Sequence, residues 1–255
     1  MSEAVNLAAA LSRHAALTIA VSGGVDSMTL ASFAHRLGSL RVTAIHAVSP
    51  AVPPSATQRV TARASQEGWR LIVTGTGEFE DPRYRDNPVN RCYFCKTNLY
   101  ERIRNLTDDT IASGANLDDL GDYRPGLLAA AENRVVHPLI EASLGKPGVR
   151  ALARRLGLDD VAELPAQPCL SSRVETGIAI DAGDLAFVDL VETRLAPLLP
   201  AGSALRCRIT RAGVVIEADK AAPELAVEAA ALCAEGARIF AGVRPYTRGA
   251  MFVRS

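Results

Sequence analysis

A short glycine turn, SGGVDS at residues 22–27, constrains the fold more than any other feature of the sequence. The apolar stretch at 17–21 predicts a buried strand before the turn, and the pattern at 26–37 predicts a helix after it. Strand and helix patterns then alternate, with further strands predicted at 41–48, 70–74 and 110–114. Such alternation is typical of a parallel sheet with helices on both faces. The sequence therefore predicts an α/β fold.

The same turn has the composition of a phosphate-binding loop. Gly23 and Gly24 allow successive backbone N–H groups to point into one concavity, and the following helix directs its positive N-terminus there. Ser22 and Ser27 add hydroxyl donors, and Asp26 can hold Mg²⁺ on the phosphates. The spacing differs from that of a Walker A loop, which also requires a lysine, and from that of a dinucleotide fingerprint. The residues favour a phosphate site, with an ordinary glycine turn and helix cap as the alternative.

The charge balance and the lack of long apolar stretches argue against nucleic acid and membrane as partners of this chain. The 255 residues carry 28 Lys and Arg against 28 Asp and Glu, so the formal net charge is zero. This neutrality argues against a surface devoted to nucleic acid. The apolar stretch nearest the start, at 15–21, is far shorter than the roughly 20 residues that span a bilayer. We therefore expect no nucleic-acid partner, no membrane segment and a cytoplasmic location.

The sequence pattern changes near residue 174, which predicts two domains at 1–174 and 175–255. The second part is predicted to be a small α+β domain, with helices at 181–198 and 223–235 and strands at 205–210, 214–218 and 237–243. The segment at 77–91 is polar and interrupted by prolines, and it predicts a functional loop.

Three cysteines have the residue types of a metal or sulfur site. Cys92 and Cys95 form a CxxC pair, and Cys169 lies far downstream. A zinc site would need a fourth ligand, for which His137 is a candidate. The cysteines could instead form a redox pair or act as catalytic thiols. Three cysteines can also hold a [4Fe–4S] cluster whose open iron could bind exogenous sulfide. The remaining two are expected in the core: Cys207 and Cys233.

The turn at 22–27 resembles the PP-loop of the N-type ATP pyrophosphatases. Members of that superfamily cleave ATP between the α and β phosphates, transfer AMP to a substrate oxygen and release pyrophosphate. Gly114, which is followed by Ala115 and Asn116 after the fourth predicted strand, resembles part of the second nucleotide loop of the superfamily. The resemblance implies a PP-loop fold for the first domain, with ATP and Mg²⁺ as its ligands.

Longer phrases resemble the LarE family and run in family order through most of the chain. They are NPVNRCYFCKTNLY at 87–100, LGDYRPGLLAA at 120–130, PAQPCLSSR at 165–173, TGIAI at 176–180 and LRCRITRAGVVIEA at 205–218. The resemblance implies an ATP-dependent sulfur transferase of nickel-pincer cofactor biosynthesis. Such enzymes adenylate a carboxylate of pyridinium-3,5-biscarboxylic acid mononucleotide and replace its oxygen with sulfur, and two passes give the bis-thiocarboxylate.

The LarE family has two sources of sulfur. One kind has a single cysteine, at the position that matches Cys169, and sacrifices its own sulfur to leave dehydroalanine. The other kind has three cysteines, which match Cys92, Cys95 and Cys169 and resemble a [4Fe–4S] site that carries an extra sulfide. Because this chain has all three, the resemblance implies the cluster kind, with inorganic sulfide or another sulfur donor as its partner.

Arginines and glutamates of the second part are candidate substrate and metal ligands. Arg206 and Arg208 alternate on one face of the predicted strand, expected to be exposed, where they could clamp a phosphate. The resemblance implies that they lie near the substrate phosphate, and that Glu192 and Glu217 match carboxylates that can bind metal. A solvated stripe of charges is the alternative. Two other arginines are further anion-binding candidates: Arg124 and Arg173. Three nearby aspartates are expected to solvate a loop or cap a helix: Asp118, Asp119 and Asp122.

Three competing functions remain open at the level of sequence. A tRNA thiolase of the same superfamily could also use a PP-loop and three cysteines, but it should carry a basic surface. An amide-forming PP-loop ligase would leave the cysteines unexplained. A nucleotide-binding regulator would show no turnover. Relatives in the LarE family form ring-like homo-oligomers, so the resemblance also implies a homo-oligomer.

Overall fold

The chain divides into two units in a computed structural model, which describes residues 2–121, 124–165, 168–220 and 222–247. The first unit comprises Met1–Glu78 and Cys92–Gln167, and the second comprises Phe79–Arg91 and Pro168–Ser255. The division into domains at 1–174 and 175–255 stays a prediction. The unit that contains 175–255 also includes 79–91 and 168–174.

Four parallel strands form the sheet of the first unit: β1 (Ala16–Ala20), β2 (Arg41–Val48), β3 (Arg70–Gly75) and β4 (Thr110–Ser113). Their spatial order is β3–β2–β1–β4. Neighbouring residues of one strand contribute to two separate apolar clusters, as Ala44 and Ile45 do, because successive side chains point to opposite faces. Helices therefore cover both faces, and the predicted parallel α/β sheet is confirmed.

The described helices are mostly short, and several begin at a proline, whose missing N–H costs nothing in the first turn. They are α1 (Ser2–Leu11), α2 (Val25–Leu37), α3 (Pro54–Glu67), α4 (Pro82–Arg85), α5 (Arg91–Arg104), α6 (Pro125–Glu132), α7 (Pro138–Glu141), α8 (Lys146–Arg155), α9 (Asp159–Ala162), α10 (Ala182–Leu195) and α11 (Pro223–Glu235). Single 3₁₀ turns occur at Glu78–Glu80, Leu117–Gly121, Leu170–Arg173 and Ala196–Leu198. None of the helices within the described ranges combines the length and the apolar character needed to cross a bilayer.

A mixed three-stranded sheet forms the centre of the second unit. Strands β5 (Leu205–Thr210) and β6 (Gly213–Ala218) form an antiparallel hairpin, and β7 (Phe240–Pro245) pairs in parallel with β6. Helices α10 and α11 pack against this sheet. The small α+β domain expected from the sequence is therefore present.

The polar segment before α5 belongs to the second unit. Asn87 is fully buried with a positive φ of 53°, and its Nδ2 donates hydrogen bonds to the carbonyl oxygens of Glu175 and Ile178, both at 2.9 Å. The amide of Ile180 donates to the carbonyl of Arg85 at 2.8 Å. The segment predicted as a functional loop therefore holds the turn at 174–180 in place.

Candidate functional site

The loop at 22–27 is held closed by its own serines. The Ser22 amide donates to Ser27 Oγ at 3.0 Å, and the two hydroxyl oxygens lie 3.1 Å apart. Ser27 Oγ also lies 3.2 Å from the carbonyl of Gly24, to which it can donate. Gly23 has a φ of +84°, a conformation that only glycine adopts readily. The loop therefore curls around the Ser27 hydroxyl at the N-terminus of α2.

Two glycines are required here by close approach of other backbone atoms. A Cβ on Gly23 would lie 2.9 Å from the carbonyl oxygen of Ala56. A Cβ on Gly114 would lie 2.7 Å from the amide nitrogen of Ser27 and 2.8 Å from its Cα. The segment that follows β4 therefore lies directly against the loop that follows β1, so two predicted nucleotide-binding segments are brought together.

A buried histidine and an arginine bind backbone carbonyls in and just before this loop. His46 is fully buried, its Nδ1 lies 2.8 Å from the carbonyl of Val21, and its Nε2 lies 2.9 Å from Thr57 Oγ1. Burial lowers the pKa of His46, which favours a neutral ring that donates from Nδ1 and accepts at Nε2. Arg59 Nη1 donates to the carbonyl of Gly23 at 2.8 Å.

Both carboxylate oxygens of Asp26, the predicted Mg²⁺ ligand, receive hydrogen bonds. Lys146 Nζ lies 2.5 Å from Oδ2, and Asn116 Nδ2 donates to Oδ1 at 3.1 Å. The sequence analysis did not select Lys146. The only local signals were its rarity, as one of three lysines in the chain, and its position after a glycine at a helix start.

The acidic segment at 116–119 organises the neighbouring backbone. Asp118 Oδ2 accepts the amide of Lys146 at 2.6 Å and so caps α8, as expected for helix capping. Asp119 accepts the amide of Asn116 at 3.1 Å and pairs with Arg124 at 3.0 Å. Arg124 therefore lies beside the second loop, and its role as an ATP ligand stays a prediction. The third aspartate considered, Asp122, lies outside the described residues.

The first unit also carries a histidine that was considered as a zinc ligand. His137 Nδ1 lies 2.8 Å from Ser113 Oγ, at the end of β4. Burial lowers its pKa, and the nearby charge of Asp119 only partly offsets this effect.

The three candidate sulfur-site cysteines are all half-buried. Cys92 and Cys95 lie within the first five residues of α5, three residues apart and so on one helix face, in the first unit. Cys169 belongs to the second unit and precedes the 3₁₀ turn at Leu170–Arg173. Among the residues that the structure describes, no three His, Cys, Asp or Glu side chains form a group that could hold a metal ion. The iron–sulfur cluster therefore stays a prediction.

The other two cysteines are buried, as expected of core residues: Cys207 and Cys233.

The backbone around Cys169 is braced by buried side chains of its own unit. Arg173 Nη1 donates to the carbonyls of Pro168 at 2.6 Å and Cys169 at 3.2 Å, while Nε and Nη2 bind the carboxylate of Glu192 at 2.9 and 2.8 Å. Tyr84 Oη lies 2.6 Å from Ser171 Oγ. Arg173 has only 4% of its surface exposed, and in this geometry it braces the turn internally. Its role as a substrate ligand stays a prediction.

Arg208 is buried, which corrects the expectation of an exposed arginine pair on β5. It has 4% exposure, and its Nε binds Glu217 Oε2 at 2.7 Å while Nη1 donates to the carbonyl of Ser172 at 3.0 Å. Glu217 is fully buried and also receives Arg244 Nη2 at 2.8 Å. The strand alternates as predicted, but the turn at 168–173 and the neighbouring strands bury this face.

Arg206, the other arginine of the predicted pair, is half-buried and packs near the ring of Tyr246, 5.7 Å from its centroid. Burial lowers the pKa of Arg206, and the charge of Arg173 adds to this effect. The charges of Arg173 and Arg208 both act on Arg206, a concentration of arginines that suits an anion.

On helix α10, burial and the charge of Glu192 raise the pKa of Asp189. The predicted metal-binding carboxylates, Glu192 and Glu217, are both paired with arginine, and their metal role stays a prediction.

The fold and the paired loops are those of a PP-loop α/β protein, and comparison with known proteins narrows the class. No known protein-family model matches the chain. An uncharacterized protein of Synechocystis sp. is 40% identical over 181 residues, 69% of this chain and 67% of the relative. The pyridinium-3,5-bisthiocarboxylic acid mononucleotide synthase of Lactiplantibacillus plantarum is 30% identical over 197 residues, 75% of this chain and 71% of the synthase. An uncharacterized protein of Methanocaldococcus jannaschii is 26% identical over 180 residues. The chain belongs to the LarE family, the family of this synthase.

Proposed function

We propose that this protein is an ATP-dependent sulfur transferase that converts a carboxylate of pyridinium-3,5-biscarboxylic acid mononucleotide into a thiocarboxylate, in nickel-pincer cofactor biosynthesis. The observation that carries the proposal is the relationship to the named synthase, at 30% identity over 71% of its length. The braced cysteine turn and the close pair of loops support it, because the chemistry needs one site for a nucleotide and one for sulfur.

The loop at 22–27 binds the phosphates of ATP. Its backbone amides and the N-terminus of α2 direct partial positive charge at them, and Asp26 supplies the hard oxygen ligand that Mg²⁺ prefers. A carboxylate oxygen of the substrate attacks the α-phosphorus, a C–O–P linkage to AMP forms, and the bond to the β-phosphate breaks to release pyrophosphate. A poor electrophile thereby gains AMP as a leaving group.

Cys169 is the centre of the second step. A sulfur nucleophile presented there forms a C–S bond with the acyl carbon, and the C–O bond breaks as AMP departs with the electron pair. The braces on the turn, one of them on the Cys169 carbonyl, fix this backbone before the substrate arrives, which lowers the cost of orientation.

Three thiolates would suit a [4Fe–4S] cluster with one open iron, and Cys92, Cys95 and Cys169 are the residues that would hold it. Such a cluster would supply an iron able to bind exogenous sulfide. The fit rests on the donor set alone, since these thiols are divided between the two units.

Arg206 is the proposed ligand of the substrate phosphate, because it is the more exposed member of the β5 pair and lies in the arginine-rich part of the second unit. Arg173 and Arg208 have a positioning role, because they donate hydrogen bonds to the carbonyls of the turn at 168–173. A homo-oligomer and a cytoplasmic location remain part of the proposal.

The test is turnover by protein purified without oxygen. The full chain is incubated with Mg-ATP, sulfide and the biscarboxylic mononucleotide, and pyrophosphate, AMP and thiocarboxylate are quantified. Cys169→Ser should abolish thiocarboxylate formation and leave pyrophosphate release measurable, whereas Cys233→Ala, a buried control, should change neither. About four irons and four sulfides per chain, lost in Cys92→Ser and Cys95→Ser, would support the cluster.

Other products would overturn the assignment. Thiolated tRNA would favour a tRNA thiolase, and ammonia- or glutamine-dependent AMP release would favour an amide ligase. Absence of pyrophosphate release with this substrate would favour a regulator. Loss of the Cys169 sulfur after one turnover, seen in the mass of the intact chain, would favour the sacrificial route over the cluster.

A further inference from the structure

The phosphate loop of this protein has no cation of its own. A Walker A loop places a lysine on the β and γ phosphates, but the segment at 22–27 contains none. Release of pyrophosphate builds negative charge on the departing oxygens, and phosphoryl-transfer sites stabilise such charge with Lys, Arg or Mg²⁺. A cation from elsewhere in the first unit should therefore reach this loop.

Lys146 is the lysine that reaches it. Its Nζ lies 2.5 Å from Oδ2 of Asp26, inside the loop, and about a third of its side chain remains exposed, at 35%. The backbone of Lys146 is fixed, because its amide is capped by Asp118 at 2.6 Å and α8 packs against α2. The backbone of Lys146 is therefore fixed beside the loop, while its side chain stays accessible to a ligand.

The nearby arginine is less suited to this role. Arg59 Nη1 donates to the carbonyl of Gly23 at 2.8 Å, so this guanidinium already holds the loop backbone. Lysine, in contrast, is a compact charge on a flexible four-carbon stem. A partly exposed ion pair such as Lys146–Asp26 contributes little to stability, so it can open when a better partner arrives.

We propose that Lys146 exchanges partners during the reaction. It pairs with Asp26 in the absence of nucleotide, and it binds the β and γ phosphates of ATP and the departing pyrophosphate when nucleotide is present. Asp26 is thereby released to hold Mg²⁺. This inference rests on the proposed use of ATP and adds to it a residue that contacts the leaving group.

Calorimetric titration of the full-length protein with three separate probes tests the exchange: inorganic pyrophosphate, ATP and AMP, each with Mg²⁺. Lys146→Met should weaken pyrophosphate and ATP binding by about tenfold or more, since a charge-assisted contact to phosphate is lost, and should change AMP binding by less than about threefold. Lys146→Arg should retain most of the affinity. Lys220→Met, at an exposed lysine of the second unit, is the matched control and should bind as wild type. Should Lys146→Met fail to fold, Lys146→Gln is measured with the same expectation.

A second variant tests the exchange itself. Without Mg²⁺, Asp26→Asn should bind pyrophosphate more tightly than wild type, because Lys146 has lost its resting partner, and Asp26→Asn/Lys146→Met should lose this gain. A purely structural lysine would not produce this reversal. Equal losses for AMP and pyrophosphate in Lys146→Met, or no gain in Asp26→Asn, would overturn the inference.

The two proposals fail in different ways. Wild-type protein that binds neither ATP nor pyrophosphate overturns both. Lysine-dependent pyrophosphate binding without any thiocarboxylate product overturns the proposed acceptor and leaves the role of Lys146 standing. Full turnover with unchanged pyrophosphate affinity in Lys146→Met overturns this inference alone.

Discussion

The loop at 22–27 and the turn at 168–173 hold their backbones by different means. The loop relies on close approach, since Gly23 and Gly114 leave no room for a methyl group, and on hydrogen bonds to the Ser27 hydroxyl. The turn relies on charged side chains that donate to its carbonyls, namely its own Arg173, which is held by Glu192 of α10, and Arg208 of β5. Steric fit suits a site that must wrap a ligand with amides, whereas braces suit a site that must present one side chain. The loop should therefore be sensitive to added atoms, and the turn to a lost charge.

The largest effect is expected at the brace. Arg173→Met leaves Glu192 as an uncompensated charge, which should cost the second unit about 3–5 kcal/mol in its free energy of unfolding. It also frees the carbonyls of Pro168 and Cys169, and a shift of the thiol by about 1 Å can cost about 10²-fold in rate. Urea unfolding followed by amide exchange in β5, together with the rate of thiocarboxylate formation, measures both losses.

A paired variant separates the two losses. Arg173→Met/Glu192→Gln removes both charges of this pair, and glutamine keeps an acceptor for the amide of Cys207, which in the wild-type chain donates to Glu192 at 3.0 Å. Stability should largely return, while the rate should stay low because the carbonyls of Pro168 and Cys169 have lost their donor. Recovery of both together would show that Arg173 acts on stability alone.

A smaller effect is expected from a methyl group in the loop. Gly114→Ala places a Cβ 2.7 Å from the Ser27 amide, and such overpacking typically costs about 1–3 kcal/mol. Because the two loops are forced apart, ATP affinity should fall by at least about tenfold, the loss expected when one good hydrogen bond to a charged group is removed. Calorimetry with ATP measures the affinity.

Gly75→Ala is the matched control in the same unit, since its φ is not positive and the nearest atom to the new Cβ is 4.0 Å away. It should leave binding unchanged. An unaltered ATP affinity in Gly114→Ala would mean that the second segment is not part of the nucleotide site.

The parallel sheet, the loop between β1 and α2 and the small mixed sheet could be predicted from the sequence. Each depends on local order along the chain: apolar stretches give strands, and a glycine turn between strand and helix gives the phosphate nest. The pairing of Gly114 with the first loop followed from resemblance, and its physical reason is that a Cβ on Gly114 would lie 2.7 Å from the Ser27 amide nitrogen.

The contacts that could not be predicted are made between residues far apart in sequence. Lys146 carries no local signal for a partner 120 residues away, and the sequence alone gives Arg208 the outer face of a strand. Asn87 lies in a polar stretch that resembles any exposed loop, yet it is fully buried against the turn that follows Val174. Burial of polar groups depends on which elements meet, and alternation within one strand does not contain that information.

The smallest effect concerns mild acid, to which the two units should respond with opposite sign. All four histidines of the sequence fall in the first unit, and burial lowers the pKa of both His46 and His137. A lowered pKa means that the folded state binds fewer protons than the unfolded chain, so this stability is complete above the ordinary histidine pKa of about 6.5 and is lost as the pH falls below it. In the second unit the pKa of Asp189 is raised by burial and by Glu192, so its folded form takes up a proton more readily and gains stability as the pH falls.

When unfolding is measured at pH values from about 7.5 down to about 5.5, the free energy of unfolding of the first unit should therefore fall, and that of the second unit should stay the same or rise slightly. Trp69, the one tryptophan of the chain, is buried in the first unit and reports on it by fluorescence, while amide exchange in β5 and β6 reports on the second. His46→Gln should flatten the pH dependence of the Trp69 signal. Parallel losses in both units would mean that the acid response does not come from the buried histidines, and the contrast between the histidine-supported loop and the arginine-braced turn would not extend to pH.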